Sequence, residues 1–174
     1  MLGRPSPVDP EIASITFQRH IAELWATGRP EKLGWKLMPI DPLRIVVTMP
    51  AIRSDGATDP YNVKLGGEYY DAHPPTTAFV EPPNWEPARG GSQWLPRITN
   101  PPWFGLHAAY SYPDGSQRQL VCFTFTAEYY MVDHSPPTTT IWRQGNHTLA
   151  ATLYRLHEVL RPPYYQGPSN AAGT

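Results

Sequence analysis

The spacing of apolar residues changes several times along this chain, and each change marks a new kind of element. Residues 1–9 show no period and read as a disordered lead. Asp9-Pro10-Glu11 then supplies an N-cap, a proline at the first helical position and an acidic first turn. The helix that follows places Ile12, Ile15, Ala22 and Trp25 on one face, broadened by Phe17, Ile21 and Leu24, and ends near Gly28. Strand-like runs come next. Residues 34–40 and 43–49 flank the turn pair Asp41-Pro42, and the second run is continuously apolar and β-branched, as suits a central strand. After a loop holding Ser54-Asp55-Gly56 and Asp59-Pro60, residues 61–70 alternate, with Tyr61, Val63, Leu65 and Tyr69 opposed to Asn62, Lys64 and Glu68. His73-Pro74-Pro75 ends that strand, and residues 76–80 supply a short fourth one.

Between 81 and 105 the chain is rich in Pro, Trp and Gly and has no period, which predicts a long ordered loop. Residues 106–112 and 119–130 suit a hairpin around the turn dipeptide Asp114-Gly115. A second loop spans 133–140. Leu149, Leu153, Leu156 and Leu160 then recur at helical spacing, with Asn146 or Thr148 as the cap and Pro162-Pro163 as the stop. Residues 166–174 are expected to be a flexible tail. The pattern predicts one α+β domain over 10–165: a four-stranded antiparallel meander flanked by an N-terminal and a C-terminal helix, with long loops rich in Pro and Trp.

Composition sharpens this picture in a few places. A chain of 174 residues that is 40% apolar has enough material for one sizeable core. Its 22 prolines favour stiff connections over a helical bundle. With a formal charge of −1 and no basic tract, nucleic-acid binding through phosphate neutralisation is not expected. No apolar run has the length of a membrane span, and the N-terminal residues hold no apolar stretch of signal-peptide type. A lone cysteine cannot close an internal disulfide, so the expected setting is the cytoplasm. Neither cofactor nor metal is expected, because the histidines show no zinc-ligand spacing and no phosphate-cradling glycine loop occurs. Gly-x-Ser-x-Gly is absent, and a papain-like order would put the cysteine ahead of the histidine.

Candidate chemistry centres on Cys122, the only thiol, with His107 upstream and Trp142 downstream. A cysteine between Val121 and Phe123 is by default a small buried apolar residue. The Trp residues of the loops read first as packing over the core and second as a recognition surface.

The order of these features resembles the ubiquitin-conjugating-enzyme family, and more closely its divergent bacterial members that are encoded beside activating enzymes and ubiquitin-like proteins. Residues 70–79, Tyr-Asp-Ala-His-Pro-Pro-Thr-Thr-Ala-Phe, are similar to the family's Tyr-Pro-x-x-Pro-Pro segment ahead of its last strand. His107-Ala108-Ala109, Asp114-Gly115 and Leu120-Val121-Cys122 stand where the family has His-Pro-Asn, a glycine-bearing turn and the active cysteine, with Ala109 in the place of the asparagine. Trp142 and the helix after it resemble the ending of the bacterial members. The resemblance implies a UBC-like fold and an acyl transferase. Cys122 would carry a ubiquitin-like protein as a thioester, delivered by a separate adenylating enzyme, and pass it to an acceptor. His107 would donate to the oxyanion or hold the loop, and Asp133 and His134 would deprotonate the acceptor. The alternatives are an inactive UBC-like module that binds the modifier or scaffolds a complex, and a thiol hydrolase that removes the modifier.

Overall fold

In the computed structural model, which describes residues 2–132, 134 and 136–173, the first helix starts where its cap dictates. The Asp9 carboxylate accepts the amides of Glu11 and Ile12 at 3.0 and 3.2 Å, and α1 runs over Pro10–Ala26. Its buried face is Ala13, Phe17, His20, Ile21 and Leu24. Of the expected stripe, Phe17, Ile21 and Leu24 are buried, whereas Ile12 and Ile15 are 61% and 62% exposed, and Ala22 is exposed as well. A step of about 100° per residue puts Ile15 and Ala22 opposite Phe17 and Leu24, and the larger side chains take the core. Phe17 lies against the backbone of Gly67, where a β-carbon would meet its ring at 3.1 Å.

A short turn of helix, α2 (Arg29–Lys32), leads into the meander. Its strands are β1 (Lys36–Asp41), β2 (Arg44–Ile52), β3 (Thr58–Gly66), β4 (Thr76–Glu81) and the two-residue β5 (Glu86–Pro87). They form one five-stranded antiparallel sheet in sequence order. The alternation of β3 holds where it matters, with Tyr61, Val63 and Leu65 all fully buried. The strand stops at Gly66, short of the expected Tyr70, because the amide of Gly67 turns to the carbonyl of Leu43 at 2.8 Å.

The loop after β4 contains one further strand, β6 (Pro96–Ile98). Next, β7 (Gly105–Ser111) and β8 (Gln117–Cys122) form the expected hairpin, whose turn is held by Asp114 accepting the Ser116 amide at 2.8 Å. Its second arm is shorter than expected. The Thr126 hydroxyl lies 2.8 and 3.0 Å from the carbonyls of Val121 and Phe123, ending the strand, and α3 (Ala127–Met131) follows. The last helix, α4 (Leu149–Val159), begins at the Thr148 cap and buries Leu149, Leu153 and Leu156, with Leu160 just beyond. These leucines share one core with Phe17 and Ile21 of α1 and with Val47, Met49, Val63 and Leu65 of the sheet.

Both ends of the chain depart from expectation. In the lead, the Val8 amide donates to the Glu68 carbonyl at 2.9 Å, and Nε2 of His73 donates to the Gly3 carbonyl at 2.9 Å. The tail forms β9 (Tyr165–Pro168), antiparallel to β6, and then a 3-10 turn over Ser169–Gly173. Among the described residues no helix is long and apolar enough to cross a membrane. Among the described residues the architecture is mixed α+β, with four α-helices and an antiparallel five-stranded sheet.

Candidate thiol site

The β7–β8 hairpin is not hydrogen-bonded into the large sheet, so side chains make the joint. Gln119 behaves like a piece of neighbouring strand: its Oε1 accepts the Phe79 amide at 2.8 Å, and its Nε2 donates to the carbonyls of Phe79 and Ala88 at 2.9 and 3.0 Å. Two residues earlier on β4, the Thr77 amide lies 3.0 and 3.1 Å from the two carboxylate oxygens of Glu128 in α3. Buried backbone amides need partners, and for these two amides of β4, which point away from β3, the partners are side chains.

The joint fixes the face on which the cysteine appears. Gly105 pairs with Cys122 and His107 with Leu120, and the period of two puts all four on one side of the hairpin. That side forms the floor of a groove of about 660 Å³. It is also lined by Pro102, Trp103 and Phe104, at the end of the Trp/Pro loop, and by Tyr129, His134, Pro137, Thr139 and Thr140 from α3 and the segment after it. Cys122, His107 and His134 therefore border one space. Asp133 lies outside the described residues.

The electrostatics of the groove keep the thiol protonated. Cys122 is half-buried, and desolvation, with a smaller contribution from the charge of Glu128, pushes it up to about 11. At neutral pH this leaves about one thiolate in 10⁴. Arg155 is the one Arg or Lys bordering the groove among the described residues, and its guanidinium sits 4.7 Å over the Trp103 ring. His134 stacks on Tyr129 with ring centres 4.8 Å apart. The next residue along, Phe123, is fully buried against Trp103 and Phe104 and anchors the end of β8.

Glu128 was not anticipated from the sequence. It is buried, and desolvation raises its carboxyl to about 8 despite the Thr77 amide. A single Glu in an otherwise apolar and aromatic run carries no local sign of burial. His147 stands apart from the groove, with Nδ1 accepting the Arg143 amide at 2.9 Å and its ring packed on Phe125 and Trp142. Trp142 is buried, and its indole donates to the Asp71 carbonyl at 2.8 Å. Trp94 and Trp103 pack against the core as loop covers. No group of three His, Cys, Asp or Glu among the described residues is arranged to hold a metal ion.

Compared with known proteins, the chain matches no family model and no curated protein sequence.

Proposed function

We propose that this protein is a conjugating enzyme of UBC-like fold, which accepts a ubiquitin-like protein as a thioester on Cys122 and transfers it to an acceptor. One observation carries the reading: Cys122 opens onto a groove that also holds His107 and His134, between two loops that can flank an extended chain. The order of elements supports it, with a helix, a meander, the Tyr70–Pro75 corner, a histidine, a hairpin, the cysteine, a buried tryptophan and a helix.

Charging is an exchange of thioesters. The Cys122 sulfur bonds to the carbonyl carbon, the donor's C–S bond breaks, and the departing thiol takes up the proton that Cys122 released. His107 supplies a donor to the oxyanion from the same hairpin face. Discharge repeats the step with an incoming nucleophile, whose proton His134 accepts within the same groove. The adenylating enzyme supplies the charged donor.

The protonated thiol favours a second reading, an inactive module that binds the modifier without carrying it. Incubation with an activating enzyme, a ubiquitin-like protein and ATP separates the two. A carrier gives an adduct cleaved by thiol reagents and lost in Cys122→Ala. An inactive module gives no adduct yet retains the modifier in both forms. An adduct that persists in Cys122→Ala overturns the assignment of the nucleophile. Hydrolysis of a preformed conjugate in a Cys122-dependent manner would instead identify a thiol hydrolase.

A further inference from the structure

Gly105 interrupts the groove floor at the position paired with Cys122, and the space it leaves is defined on three sides. A β-carbon there would lie 3.5 Å from Nε2 of His107, 3.8 Å from the β-carbon of Cys122 and 4.0 Å from the Cys122 carbonyl oxygen. The His107 imidazole thus leans back along its strand over the glycine, towards the cysteine. The exposed ring of His107 also packs on Tyr110, with ring centres 5.3 Å apart, and the missing side chain at Gly105 leaves open the space between the imidazole and Cys122. These separations are ordinary van der Waals contacts, and alanine would fit the resting fold while filling the gap.

We infer that the gap at Gly105 is the acyl-carbonyl subsite: the carbonyl group that becomes bonded to Cys122 lies over the glycine, with its oxygen towards Nε2 of His107. The inference rests on the proposed role of Cys122 as an acyl carrier. In the step concerned, sulfur bonds to the carbonyl carbon and the C=O pair moves to oxygen beside the imidazole. The pair then returns as the donor's C–S bond breaks, and the leaving thiolate takes the proton from Cys122. Gly105 makes no contact of its own in this step. It is a positioning residue that decides whether carbonyl and donor can meet.

The test uses two probes on the whole protein, an N-acetylglycyl thioester of a small alkyl thiol and iodoacetamide, with intact-protein mass as the readout. The parent should be acylated at Cys122. Gly105→Ala should slow acylation by roughly 10- to 100-fold, with alkylation within about twofold of the parent and an unchanged melting temperature, since alkylation needs the sulfur and no carbonyl pocket. In the His107→Ala background, Gly105→Ala should have far less effect, because the donor it keeps from the carbonyl is already gone. Equal slowing of both reactions means simple occlusion of the sulfur and overturns the subsite. So does acylation at the parent rate, or the same slowing with and without His107. A parent that is not acylated, and so behaves as Cys122→Ala does, overturns the carrier reading itself and the subsite with it.

Discussion

Two neighbouring side chains set the chemistry at the scale of single residues. The Glu128 carboxyl is raised from an ordinary value near 4.5 to about 8 by burial, so the folded protein holds its proton more tightly than the unfolded chain does. The sign follows from linkage. This group's contribution is fully present below about pH 4.5 and is lost as pH rises towards 8, at a rate on the order of 1 kcal/mol per pH unit within that window. Glu128→Gln keeps an acceptor for the Thr77 amide without the buried charge. It should flatten the fall in stability between pH 5 and 9 and melt higher than the parent above about pH 8, as thermal denaturation across pH will show. A substitution that leaves the pH dependence intact would place the titrating group elsewhere. The same charge acts on the thiol, so the alkylation rate of Cys122 should rise towards a midpoint near 11 in the parent and at lower pH in Glu128→Gln.

At the scale of elements, legibility depended on how evenly a face is filled. Helix α4 was readable because Leu149, Leu153, Leu156 and Leu160 occupy one stripe without rivals, and all four are fully buried. Helix α1 offers apolar residues around most of its circumference, so the pattern alone put Ile12 and Ile15 on the stripe together with Phe17, Ile21 and Leu24, and only the latter three are buried. His20 was invisible as a core residue. Its Nδ1 lies 2.7 Å from the Tyr70 hydroxyl, which also accepts the Leu149 amide at 2.9 Å, a three-way contact joined from distant parts of the chain. The shortened second arm of the hairpin escaped notice for another reason. Residues 123–131 hold neither Gly nor Pro, and the Thr126 turn is made by a hydroxyl rather than by a breaker. The narrower buried face is open to measurement by paired substitutions. Phe17→Ala should destabilise by about 3–5 kcal/mol and Ile15→Ala by less than about 0.5 kcal/mol in denaturant titrations. Similar losses at both positions would restore the face expected from the pattern.

For the molecule as a whole, what sequence reading missed is long-range. The meander and the hairpin pair near neighbours in the chain, and both were anticipated. The β6–β9 pairing joins segments far apart in sequence, with Ile98 against Tyr165, and leaves no local trace. The tail does more than pair. The Tyr165 hydroxyl donates to Asp59 at 2.7 Å and lies 2.6 Å from the Tyr61 hydroxyl, and Asp59 is held by Arg53 at 2.8 and 2.9 Å. Truncation after residue 164 should therefore lower the melting temperature by several degrees, as expected for a loss of a few kcal/mol, whereas truncation after 168 should change it little. Of the candidate site, the sequence located the thiol and the two described histidines that border its groove. The groove itself depends on register, on Gly105 and on loops whose packing no local pattern encodes.

The side-chain joint between the hairpin and the sheet has a consequence for motion. The amides of Thr77 and Phe79 are shielded from solvent by Glu128 and Gln119, while their neighbours Thr76 and Ala78 lie on the side of β4 that faces β3. Deuterium can reach the first pair if α3 and β8 lift away, with the sheet intact, but the second pair only if the sheet itself parts. Exchange at residues 77 and 79 that is faster than at 76 and 78, and that Gln119→Ala accelerates selectively, would show the thiol's hairpin opening as a unit of its own. The protein would then have a hinge made of two side chains, and access to Cys122 would be set by their hydrogen bonds rather than by the stability of the whole fold.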